Sequence, residues 1–226
     1  ILVEDDGCGI PLEELPLALR RHATSKIRSL EDLESVGTMG FRGEALPAIA
    51  SVSRLTMATA PADGEGVEVI ASGGRIETVR DTSRQRGTTV TVRTLFFNTP
   101  ARRKFLRSAA SESRAVNDVV ATLALAHPAV GFSLTLDGRS RLTVPAQQPR
   151  DARLAAVWGE ELARSLLPVT YAVGPVMVAG FAQRPADARP TGRRVQLFVN
   201  GRPFRDHFLV RAAEAVRDGK ASAMVS

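Results

Sequence analysis

Ile1-Leu2-Val3-Glu4-Asp5-Asp6-Gly7-Cys8-Gly9-Ile10 opens the chain as a short apolar strand running into an Asp/Gly turn. Glycines at 7 and 9 leave no Cβ in the way, so the backbone can pass close to a flat or charged ligand. A carboxylate at the end of a strand can accept a hydrogen bond from an exocyclic ring amine. The same five residues, Asp5 to Gly9, also suit a plain tight turn. Ile1-Leu2-Val3 reads as a buried strand with nothing before it, and the chain does not begin with Met, so upstream sequence is expected.

Downstream, Pro11 stands where a helix starts well, with Glu13 and Glu14 in its first turn. Leu12, Leu15, Leu19 and His22 follow helical spacing. Arg21-His22-Ala23-Thr24-Ser25-Lys26 then gathers two hydroxyls and an ammonium just past the helix. These are anion donors, or an ordinary helix end whose basic residues complement the dipole. Leu30–Val36 is a short helix candidate. Gly37-Thr38-Met39-Gly40-Phe41-Arg42-Gly43 leads into a helix expected over Glu44–Val52, and glycines at a helix N-terminus expose N–H groups that bind phosphate. The spacing lacks the Gly-Lys-Ser/Thr of a Walker A loop and does not directly follow a strand as a dinucleotide fingerprint does. A flexible hinge is the competing reading.

The middle of the chain alternates apolar and polar residues over Arg54–Thr59, Gly66–Ala71, Arg75–Arg80 and Thr88–Leu95, which predicts an antiparallel sheet. Thr99 before Pro100 predicts an N-cap and a helix to Leu106, with Phe105 and Leu106 packed inward. A second helix, Glu112–Ala126, carries Val116, Val119, Val120, Leu123 and Ala124 on one face. Phe132–Val144 reads as a hairpin around Asp137-Gly138. Pro145–Arg150 is the linker candidate. A helix over Ala152–Leu167, strands over Val176–Gln183 and near Arg194–Asn200, and a last helix near Asp206–Val216 complete the pattern, whose class is α+β.

Hydrophobic residues make up 44% of the 226 and charged residues 24%, as in an ordinary soluble globular protein. No run of about 18 apolar residues suits a membrane span, and no signal peptide opens the chain. One cysteine, Cys8, excludes an internal disulfide and agrees with a reducing, cytoplasmic setting. Three histidines and that cysteine show no metal-ligand spacing. The net charge of +6 and pI near 10.5 admit a polyanionic partner, although a general arginine bias would produce the same total. Distribution says more: Arg84 to Arg107 holds seven basic residues and no acid, whereas Ile1 to Glu34 is net acidic.

Taken in order, Asp5-Asp6-Gly7-Cys8-Gly9-Ile10, Arg21-His22-Ala23-Thr24-Ser25-Lys26, Gly40-Phe41-Arg42-Gly43-Glu44-Ala45-Leu46 and Asn98-Thr99-Pro100-Ala101-Arg102-Arg103-Lys104-Phe105-Leu106 resemble the MutL family of DNA mismatch-repair proteins. The strong resemblance runs from Ile1 to about Leu106, and Phe198-Val199-Asn200-Gly201-Arg202 is the best later piece. The Asp-x-Gly-x-Gly turn and glycine-rich lid are shared across the GHKL superfamily, type II topoisomerase subunits included. The last two of the four stretches, Phe41 to Leu46 and Asn98 to Leu106, point to the mismatch-repair branch.

This resemblance implies a GHKL (Bergerat-type) ATP-binding α/β sandwich over residues 1–145. A partial, ribosomal-protein-like α+β domain would follow over 150–226. Asp5 would take the adenine amine, Gly7 and Gly9 would let the base lie against the backbone, and Thr88 would bond the adenine side. Thr24, Ser25 and Lys26 with Gly40, Arg42 and Gly43 would form the lid around the phosphates. Arg202 and Arg205 would contact DNA phosphates without reading sequence. ATP and Mg2+ are the implied cofactors. ATP binding would drive homodimerisation, and the mismatch-recognition protein MutS and DNA would be the partners, in the cytoplasm and at the nucleoid. The family's water-activating Glu and magnesium-holding Asn lie on a helix upstream of the Asp-Asp-Gly turn. Neither Glu4 nor Glu44 sits at that position, so no catalytic or metal residue is assigned and the chain by itself is expected to turn over ATP poorly or not at all. The alternative is a non-hydrolysing piece that binds nucleotide or DNA.

Overall fold

The computed structural model describes residues 1–20, 43–183, 187 and 195–204. The chain forms two compact units, Ile1–Arg107 and Ser108–Ser226. That division lies upstream of the linker candidate at residues 145–150.

The first unit is built on strands β1 (Leu2–Asp5), β2 (Arg54–Ala60), β3 (Gly66–Ser72), β4 (Arg75–Thr82) and β5 (Gly87–Arg93). They form one sheet of five strands in the order β1-β5-β2-β3-β4, with every neighbouring pair antiparallel. Alternation along β2 sends Leu55, Met57 and Thr59 to the covered face, where all three are fully buried. Val67, Val69 and Val92 from the flanking strands join them, with Leu15 and Ala50 above. Leu15 opens a one-turn helix, α1 (Leu15–Ala18), after a 3-10 turn at Leu12–Glu14; Ala50 lies in α2 (Ala45–Ser51). Burying each large apolar side chain here contributes roughly 1.5–3 kcal/mol.

β1 departs from expectation. Ile1, Leu2 and Val3 are 75%, 62% and 60% exposed, not buried. Among the described residues the strand is the sheet's edge, paired with β5 alone. The basic helix is also shorter than expected: α3 spans Pro100–Arg103. Thr99 does not cap it through its side chain, and its buried Oγ1 has no hydrogen-bond partner among the described residues. Because the helix stops at Arg103, Phe105 and Leu106 do not turn inward; they are 85% and 45% exposed.

In the second unit, α4 (Ala109–Ala126) packs Ala124 and Val120 against the hairpin of β6 (Phe132–Leu136) and β7 (Arg139–Val144). Val116 and Val119, placed on that face by helical spacing, remain exposed. The hairpin turns at Asp137 and Gly138, both at positive φ, as a tight two-residue turn requires. The long helix expected to Leu167 is two pieces, α5 (Arg150–Trp158) and α6 (Glu160–Arg164). Gly159 at φ 94°, ψ 150° separates them with a backbone no helix continues. Leu166 and Leu167 instead open β8 (Leu166–Val173), a strand missed in the sequence, which pairs with β9 (Val176–Gln183). A short hairpin, β10 (Leu197–Val199) with β11 (Arg202–Phe204), closes the described part. The expected helices at Leu30–Val36 and Asp206–Val216 lie outside the described residues.

Arg153 of α5 is 1% exposed. It donates to the carbonyls of Pro128, Val130 and Pro145 at 2.8, 3.1 and 2.6 Å, so the guanidinium ties two loops to the helix. Burial lowers its pKa, because removal from water disfavours the charged form.

Candidate functional site

The register of the sheet assembles the site. Asp5 pairs across the ladder with Thr88 on β5, and Thr88 pairs with Thr59 on β2, so the three stand in one row at one end of the sheet. Asp5 Oδ1 accepts from the backbone N–H of Gly7 at 2.9 Å and of Thr88 at 3.2 Å. A carboxylate offers about four acceptor positions, and among the described residues Oδ2 makes no hydrogen bond. Among the described residues, one oxygen therefore holds the turn while the other makes no hydrogen bond, on an exposed side chain.

Thr59 is the hub behind that row. Its Oγ1 accepts from Ile10 N–H at 2.9 Å, reaches Gly87 O at 3.2 Å and meets Thr88 Oγ1 at 3.0 Å. A hydroxyl has one proton and two lone pairs. All three contacts are satisfied only when Thr59 donates to Gly87 and Thr88 donates to Thr59. Thr88 Oγ1 then keeps its lone pairs for a ligand N–H or a water. Nothing in the sequence marked Thr59, one threonine in an alternating strand; register alone puts it beside Thr88. Thr59→Val would leave the Ile10 N–H, the Gly87 carbonyl and the Thr88 hydroxyl short of a partner. The expected loss is about 2–4 kcal/mol in urea denaturation, with Thr59→Ser restoring most of it.

Two arginines between β4 and β5 clasp the turn from outside. Arg84 Nη2 donates to Asp5 O at 3.3 Å and to Thr89 Oγ1 at 2.8 Å. Arg86 Nε donates to Gly7 O at 2.9 Å. In the sequence both counted only as charge. Gly9, at φ +71°, sits so close to β2 that a Cβ would lie 2.1 Å from Ala60 O. Its missing side chain thus makes room for the chain itself.

The other assigned residues divide by position. Asp5, Gly7, Gly9 and Thr88 come together at this end of the sheet. Gly43, at φ 61°, precedes α2. Arg202, half-buried, opens β11, in the second unit. Thr24, Ser25, Lys26, Gly40, Arg42 and Arg205 lie outside the described residues. Among the described residues no three His, Cys, Asp or Glu side chains converge for a metal, so no magnesium site is built from them. Asp5 and Thr88, paired across the ladder, instead bring a carboxylate and a hydroxyl to one end of the sheet.

No family model matches the chain. It is 49% identical over 215 residues to the DNA mismatch repair protein MutL of Gemmatimonas aurantiaca, covering 95% of this chain and 35% of that protein. Over the residues it spans, the chain is a MutL homologue. MutL of Desulforudis audaxviator is 46% identical over 95% of the chain and 38% of its own length. The chain thus spans little more than a third of the MutL proteins it matches. Among solved structures, the Aquifex aeolicus MutL ATPase domain complexed with ADP superposes with a TM-score of 0.69 at 24% identity, covering 100% of this chain and 86% of that one. The fold is that of a MutL ATPase domain, α+β with an antiparallel sheet. No helix among the described residues is long and apolar enough to cross a membrane.

Proposed function

We propose that this end of the sheet holds the adenine of ATP, in a mismatch-repair protein that uses ATP binding and hydrolysis as a conformational and dimerisation switch. The observation that carries the reading is the divided carboxylate of Asp5, with Oδ1 engaged by Gly7 and Thr88 N–H and Oδ2 without a hydrogen bond among the described residues. An amine donor is the ligand group such an oxygen takes. ADP bound to a MutL ATPase domain of the same fold supports it. Thr24, Ser25, Lys26, Gly40, Arg42 and Gly43 would supply N–H, hydroxyl and cationic donors to the phosphates, and Mg2+ would neutralise phosphate charge. Titration of ATP with magnesium into the folded chain is expected to give saturable binding. No heat and no rise in thermal midpoint, in a sample folded by circular dichroism, would reject the site.

DNA is the proposed macromolecular partner, met through phosphates by Arg202 and Arg205, with MutS as the protein that recruits the parent molecule to a mismatch. Counterion release makes such binding salt-dependent, with the logarithm of affinity falling by about 0.9 per contacted phosphate for each unit of log salt. Duplex affinity is therefore expected to drop steeply between roughly 50 and 200 mM salt, read by fluorescence anisotropy. A flat dependence would remove DNA from the reading.

A further inference from the structure

The corner between β5 and α3 is built in a conformation non-glycine residues rarely adopt, with Thr94 at φ 48° and Phe96 at φ 63°. It is pinned to the end of α2. Phe96 N–H donates to Val52 O at 2.6 Å, and Asn98 Nδ2 donates to Ser51 O at 2.8 Å. The Arg54 guanidinium lies 5.7 Å over the Phe97 ring. Beyond this corner Arg102, Arg103 and Lys104 are all exposed, and Phe105 is 85% exposed. No acid occurs between Arg84 and Arg107 to answer these cations locally.

Three cations alone are served by water. The phenyl ring beside them adds a flat apolar face with a π-surface to a cationic segment. A partner suited to both is a polyanion that also shows flat apolar faces. Unpaired nucleic-acid bases have such faces, whereas a duplex hides them in its stack. We propose that Phe105, flanked by Arg102, Arg103 and Lys104, is a contact for single-stranded DNA, with a base stacked on the ring and phosphates on the cations. The inference rests on DNA as the partner proposed above, but assigns a contact on residues of the first unit.

Anisotropy titrations of the whole chain with an oligothymidine and with a duplex of equal length test it. Phe105→Ala is expected to weaken single-strand binding about tenfold and leave duplex binding and the salt slope unchanged, with Phe105→Trp restoring the loss. Arg102→Gln is expected to lower the single-strand salt slope by about 0.7. Equal effects of Phe105→Ala on both DNA forms, or none on either, would overturn the proposal. So would a fall of several degrees in thermal midpoint, which would show that the ring packs against protein. Loss of duplex binding in Arg202→Gln with Phe105→Ala silent would keep DNA as partner and remove only this surface.

Discussion

Asp5→Asn is expected to lower ATP affinity about a hundredfold or more while the thermal midpoint falls by only a few degrees. The asymmetry comes from the two oxygens. Asparagine can leave its carbonyl where Oδ1 accepts from Gly7 N–H and Thr88 N–H, so the turn survives. The amide nitrogen then occupies the place of Oδ2 and presents N–H donors to an amine that is itself a donor. A charge-assisted hydrogen bond is replaced by two facing donors, and both the bond and the desolvation of its partners are lost. Calorimetry with ATP and with inosine triphosphate separates this from general damage. Inosine carries a carbonyl where adenine carries the amine, so the variant is expected to lose far less affinity for it. Equal losses for both nucleotides would mean that the carboxylate acts through the turn and does not read the base.

Much of this arrangement was legible in the sequence, and the exceptions share a cause. Strands β2, β3 and β5 carry alternating apolar residues, and β2 to β5 are separated by turn residues, so local pattern suffices to find them. The same holds for α2 after its glycine loop and for the Asp137-Gly138 turn. Asp5 was marked as a candidate by its turn and Thr88 by the resemblance, and the strand register brings the two together. What was missed depends on neighbours distant in sequence. Thr59 becomes the hub only because β2 pairs with β5 in the register that sets it against Thr88. Arg84 and Arg86 become clasps only because the β4–β5 connection returns over the Asp5–Gly9 turn. The stretch to Leu167 has helical composition up to Gly159, whose backbone diverts it; Leu166 is then claimed by pairing with Gln183. Phe105 failed in the opposite sense. An apolar residue at the end of a helical pattern reads as core, yet the helix stops at Arg103 and the ring is left outside.

Gly87→Ala is the substitution expected to cost the fold most. Gly87 sits at φ +122°, and a Cβ built there would stand 2.0 Å from Asp5 O and 2.9 Å from Asp6 Cα. Both obstacles are backbone, so no side chain can swing away. Two penalties combine: about 1–3 kcal/mol for an L-residue in a conformation reserved for glycine, and the displacement of β1 from β5 that the overlap forces. The sum is expected to reach about 4 kcal/mol or more, in the exceptional range for a single substitution, read as a lowered urea midpoint. Gly138→Ala is the control, since it also has positive φ, +73°, but nothing within 4 Å of its Cβ. It should show only the conformational penalty, about 1 kcal/mol. Because the overlap falls on the residue that carries the open carboxylate, Gly87→Ala should also abolish ATP binding at temperatures where the protein remains folded. If the variant binds ATP normally, β1 can move off β5 without disturbing Asp5. The bond from Thr88 N–H to Asp5 Oδ1 would then not be what positions the base.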